Sequence, residues 1–211
     1  MEGFKMKTTF YILALFSINF LCAQKIMEKS IVNSNTSFIQ INTDNCFEVV
    51  METSNSNELI AEAVIEGEYQ KDLVLNVKEE GATIWVSAGF QPNFVNPNDK
   101  LSAHKVVSIA LKVLIPANQN VNLYGTSSNI KVSGAYKKLD ITLNDGSCAL
   151  EKISETVNVT TQSGDIELHS QAAKIDALSK YGTINKDIVP LGDHHFVLRT
   201  TTGNITIKKI E

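Results

Sequence analysis

Between Val121 and Lys209 one short pattern recurs, and that recurrence restricts the chain to very few folds. Frames beginning at Val121, Leu139, Val157, Ile175 and Phe196 open V-N-L-Y, L-D-I-T, V-N-V-T, I-D-A-L and F-V-L-R. The opening residues form one column. Leu123, Ile141, Val159, Ala177 and Leu198 form a second, two residues on. Past a polar turn come Ile130, Cys148, Ile166, Ile184 and Ile205, then Val132, Leu150, Leu168 and Ile207, with Lys186 breaking the fourth column. Spacing by two puts neighbouring columns on one face of a strand. Repetition between frames sets like side chains above one another in successive rungs. Period two inside a period near 18 predicts an all-β chain with a C-terminal β-solenoid: parallel, β-helix-like, with rungs of two short strands.

Gly146, Gly164 and Gly182 are 18 residues apart, and Gly203 follows after 21. They sit in polar turns such as Gln162-Ser163-Gly164-Asp165-Ile166. A sharp turn suggests a positive φ, which glycine adopts without strain. The first frame has Ser128 there and reads as a degenerate terminal rung. Rungs are expected to stack in the order in which the frames occur.

Upstream, residues 1–23 read as a signal peptide. Lys5 and Lys7 supply the positive start, Phe10–Phe20 the apolar core and Ala23 a small residue before the cut. The apolar run is short and interrupted by Ser17 and Asn19, so no membrane span is expected after its removal. Leu21 before Cys22 disfavours lipidation. Export to the periplasm, the cell surface or the medium follows. Removing Lys5, Lys7 and Glu2 takes the formal charge from −4 to −5, which speaks against nucleic acid as a partner.

Residues 24–36, rich in Asn and Ser, read as a flexible leader, and 37–120 as an N-terminal β region ahead of the solenoid at 121–211. Short alternating runs predict strands at Phe38–Ile41, Phe47–Met51, Leu59–Ile65, Leu73–Val77, Ile84–Val86 and Val106–Ile115, with a loop over Gly89–Lys100. This region could be a small antiparallel sheet or less regular rungs. In both cases it caps the first rung.

The Gly-Asp-Ile turn, the period near 18 and the leading Leu114-Ile115-Pro116 resemble the bacterial putative adhesin family, exported domains of unknown function with a C-terminal β-solenoid. The resemblance spans about residues 45–209. It implies an adhesion or envelope role and carries no catalytic residues with it.

The chemistry-bearing residues are sparse. Cys148 sits in an apolar column and reads as a small buried hydrophobe; pairing with Cys46 is the alternative an exported protein allows. His194 and His195 lie near Asp187 and Asp193, but adjacent residues of an extended segment point opposite ways, so no metal or other cofactor is expected. Asp145, Asp165 and Asp193 occupy different turn positions, unlike a calcium-binding solenoid. Asp140 and Asp176 fall two frames apart in an outward column. Roughly 9–10 Å of separation would suit an inverting glycosidase. Trp85 turns outward by parity, where the 89–100 loop, through Phe90 or Phe94, is expected to cover it. Trp85, Tyr124, Tyr136 and Tyr181 are the candidate surface-binding residues, able to stack on a sugar or anchor a protein. The expected function is non-enzymatic: an exported adhesin, or an envelope-associated binding or structural protein, meeting a cell-surface glycan or protein. The alternative is a carbohydrate-binding module or carbohydrate-active enzyme using the outer solenoid face.

Overall fold

The computed structural model describes residues 24–32, 35–67, 70–91, 93–94 and 107–210. The signal segment, His104 and most of the loop expected over Gly89–Lys100 lie outside these residues. In chain order come β1 (Gln24–Ile31), β2 (Phe38–Asn42), β3 (Glu48–Ser54), β4 (Glu58–Gly67), β5 (Leu73–Glu80), β6 (Thr83–Phe90), β7 (Val107–Pro116) and β8 (Asn120–Gly125). Two long strands follow, β9 (Asn129–Leu143) and β10 (Ser147–Thr161), then β11 (Asp165–Ser170), β12 (Lys174–Ser179), β13 (Ile184–Lys186), β14 (His195–Thr200) and β15 (Ile205–Lys209). All belong to one hydrogen-bonded sheet folded into two layers. The front layer runs β5, β6, β2, β8, the second halves of β9 and β10, β14 and β12. The back layer runs β1, β4, β7, β3, the first halves of β9 and β10, β11, β15 and β13. Each rung is a front strand, a turn and a back strand, so the β-solenoid expected from the repeat is the architecture found.

Parallel pairing extends upstream of Val121. Ile39 lies beside Val121, and Val49 beside Ile130. Thus β2 and β3 are a rung in register with the repeat, and β6 and β7 pair parallel to them as the next rung outward. Antiparallel strands then close this end: β5 on β6, β4 on β7 and β1 on β4. Residues 24–31, assigned by composition to a flexible leader, are the strand β1. Polar composition misleads there because the segment pairs along the edge of β4, while Ile26 packs against the core.

The columns hold the core. Val121, Leu139, Val157 and Phe196 are buried, as are Ile130, Cys148, Ile166 and Ile205. Their spatial order departs from the frame order at the C-terminal end. The second half of β10 pairs with β14, and β14 with β12; on the back, β11 pairs with β15, and β15 with β13. The last frame therefore sits between the third and fourth, and β12 and β13 become the outermost rung. Two features of the chain explain the exchange. The outer rung carries Ala177 and Lys186 where interior rungs carry larger aliphatics, and a buried unpaired lysine is costly. The three extra residues lengthen the link before β14, which must return inward past β12; Ala173 N donates to Pro190 O (2.9 Å) and Lys174 N to His194 O (2.8 Å) along that path.

The glycine turns stack for a reason other than the one expected. Gly146 has a positive φ of 88°, but Gly164, Gly182 and Gly203 do not. A Cβ on Gly164 would run into the carbonyl oxygen of Gly146, one on Gly203 into that of Gly164, and one on Gly182 into that of Gly203. Close approach of neighbouring turns excludes a side chain, and the collisions reproduce the exchanged rung order. Ser128 is tolerated because it meets the turn of the β2–β3 rung, where its hydroxyl bonds the carbonyl oxygens of Thr43 and Cys46 at 2.7 Å each.

Candidate surface-recognition site

The front layer carries most of the exposed features named from sequence. On β6, Ile84 and Val86 point inward, so alternation turns Trp85 outward, where it is 36% exposed. Phe90 and Phe94, expected as its cover, stack on each other with ring centroids 4.3 Å apart, and most of the loop that would carry that cover lies outside the described residues. Lys78 on β5 and Gln40 on β2 flank Trp85 directly. Asn76, Val77, Lys78, Glu80, Trp85 and Ser87 line a shallow depression of about 590 Å³. Tyr124 is half-buried at the end of β8, beside Asn42. Tyr181 lies at the other end of the stack, 70% exposed, with Lys180 Nζ 4.9 Å from its ring centre.

Tyr136 is not a surface residue. It is fully buried at the corner of β9, its hydroxyl donating to Ser133 O at 3.0 Å. Burial, and next the nearby Glu52 carboxylate, raise its pKa above the ordinary phenol range. The corner turns at Gly134 (φ 118°), and Ala135 N donates to Thr53 Oγ1 at 3.0 Å. Tyr136 shares parity with the inward Ile130 and Val132, a signal that could have placed it inside. Phe38 was the residue missed: opposite in parity to Ile39 and Ile41, it is 45% exposed on the front layer.

The outward acids are tied into ladders. Asp176 accepts from Arg199 Nη2 at 2.6 Å, and this hydrogen bond holds its carboxyl below the usual range. Asp140 accepts from Lys138 Nζ at 2.7 Å and Asn158 Nδ2 at 2.6 Å. The rung exchange also separates the two: the column runs Asp140, Asn158, Val197, Asp176. Three rungs put them roughly 14 Å apart, beyond an inverting pair, so the two-frame spacing is corrected. On the back, Glu167 bonds His169 Nε2 (2.8 Å) and Lys208, which together lower its pKa.

Cys46 and Cys148 are both free and buried. Burial pushes each thiol up to about 12, with Asp44 adding to the effect at Cys46, so both stay protonated and behave as small hydrophobes. Glu155 N donates to His194 Nδ1 at 3.0 Å. His194 borders a corner cleft of about 570 Å³ with His169, Asp193, Ser154 and Lys152. Among the described residues no three His, Cys, Asp or Glu side chains are arranged to hold a metal ion.

These features define a rigid β-solenoid with laddered charges and a few exposed aromatics. The model of the Toastrack DUF4097 family matches residues 101–211, and the chain belongs to that family. Among solved structures, a putative cell adhesion protein from Clostridium sporogenes ATCC 15579 is similar in fold, with a TM-score of 0.60 and 12% identity over 89% of this chain and 100% of its own. A putative adhesin from Bacteroides fragilis NCTC 9343 aligns over 90% of this chain and 99% of its own at 13% identity, with a TM-score of 0.36. No curated protein matches the chain.

Proposed function

We propose that this is an exported, non-enzymatic recognition protein whose solenoid acts as a rigid rod presenting its front layer outside the cytoplasm, in the manner of an adhesin. The observation that carries this reading is the state of the outward polar groups. Asp140, Asp176 and Glu167 are engaged by neighbours along the stack, which suits a scaffold held in register more than groups poised for proton transfer. The signal-like segment Met1–Ala23 supports export, and the family supports an envelope role.

The test is binding of the labelled exported chain, residues 24–211, to intact cells and isolated envelopes. Saturable binding, competed by unlabelled chain, is expected. Linear, non-competable uptake on every surface, with the chain folded by circular dichroism, would overturn the reading.

A further inference from the structure

We propose that the front-layer surface around Trp85 is a platform for a neutral glycan; the assignment rests on the recognition reading above and names its ligand class. Three observations converge. Trp85 projects outward, 36% exposed, from a strand whose neighbouring side chains, Ile84 and Val86, are locked in the core, so the ring is carried on a rigid backbone. A pyranose presents a C–H face that stacks on such a ring, and its hydroxyls then need donors and acceptors at the rim. The rim is made of such groups. Gln40 lies beside Trp85 on β2, Asn76 and Ser87 line the depression, and Asn42 follows along β2. Gln40 and Asn76 carry no side-chain hydrogen bond among the described residues, so their amides are open to a ligand.

Charge decides the class of sugar. Lys78 and Glu80, the charged residues of the depression, pair with each other and leave no net charge there. Arg199, the only arginine of the chain, is committed to Asp176 on the far side of the front layer. A carboxylated or sulfated sugar would find no bidentate partner at Trp85. A protein hot spot would want an apolar ring around the aromatic anchor. Here Phe38, next to Thr83 on the neighbouring strand, and Val77 are the apolar residues beside the platform, and apart from the paired Lys78 and Glu80 the described rim is amide and hydroxyl.

Trp85 is the single tryptophan, so its emission reports on the platform without a label. The exported chain would be screened on an array of neutral and acidic oligosaccharides. Each hit would then be titrated while tryptophan emission is followed, with saturation-transfer NMR for the variants. A neutral glycan should shift the emission saturably. Trp85→Ala should weaken binding by roughly tenfold or more. Asn76→Ala and Gln40→Ala should weaken it less, with unchanged circular dichroism. The platform is overturned by an empty array with folded protein, by hits confined to acidic sugars, or by binding that leaves the emission unmoved. It is equally overturned if Trp85→Ala abolishes capture of a protein partner while no glycan binds. Saturable cell binding that survives Trp85→Ala would sink the platform and leave the recognition reading standing; loss of saturable binding for the unaltered chain would sink the reading itself.

Discussion

At one end of the stack, antiparallel β5 and β4 overlie β6 and β7, and β1 both pairs with β4 and packs against β5. The inward residues there, Leu59, Ala61, Ala63, Ile65, Leu73 and Leu75, are buried. At the other end, β12 pairs only with β14, and β13 only with β15, among the described residues. Ile175 and Ala177 are partly covered, while Leu178, Ile184, Ile188 and Leu191 are exposed. A solenoid rung needs a neighbour on both sides to bury its apolar face. The capped end supplies that neighbour by reversing strand direction. The open end instead dilutes its outer rung with Ala177, Lys186 and a polar edge, a known guard against strand addition. Stability should therefore fall from the capped end towards the open one.

The largest expected effect lies in the middle. Gly164→Ala, and more so Gly164→Val, should destabilise the fold by about 3 kcal/mol or more, because even a single Cβ meets the Gly146 carbonyl. Since the φ of Gly164 is not positive, a tolerated alanine would refute the stacking account. Gly182→Val faces the same collision with Gly203 but on the outer rung, which can detach locally; urea melts should show a clearly smaller loss. Equal losses would mean that the open end is as cooperative as the centre.

Next in size are the column truncations. Leu150→Ala, fully buried, should cost roughly 2–5 kcal/mol, whereas Ile184→Ala should cost under about 1. Hydrogen exchange sharpens the same contrast: amides of β12 and β13 should exchange well before those of β4 and β6. Lys186→Val should leave the melting temperature within a few degrees but make elution volume concentration-dependent, since it completes an apolar column on an open edge.

The smallest effect concerns the back-layer ladder. The pKa of Glu167 is lowered in the folded chain, so its contribution is present at pH 7 and is lost as pH falls through that lowered value. Because the group is exposed, the difference in melting temperature between the unaltered chain and Glu167→Gln should be slight at pH 7 and should vanish under strong acid. A difference that grows on acidification would contradict the ladder.

The N-terminal half illustrates how far local pattern reaches. The alternation at Phe38–Ile41, Leu59–Ile65 and Leu73–Val77 announces β2, β4 and β5, since period two is a property of the strand itself. It is silent on direction, so the parallel partners of β2 and the antiparallel partners of β4 were equally compatible with it. Among the candidate site residues, Trp85 was legible because its neighbours Ile84 and Val86 are inward by parity, and Tyr181 because it lies in a turn. Tyr136 was read as a surface residue from its nearness to a turn, although it shares parity with the inward Ile130 and Val132 and the strand carries it into the core at the Gly134 corner.

The sequence by itself determined the solenoid: recurring apolar columns and small turn residues admit stacked rungs and little else, because each rung's interior must match the next. Only the tertiary structure decided the stacking order and the site. Frame order says nothing of which rung is outermost. That choice depends on burial, which keeps Lys186 at the edge and Phe196 inside, and on a link long enough to turn back. The same exchange moved Asp176 away from Asp140, and the strands paired around β6 set Gln40 of β2 and Asn76 of β5 beside Trp85 from separate parts of the chain. Proximity across strands is a matter of pairing, which a single chain read in order does not contain.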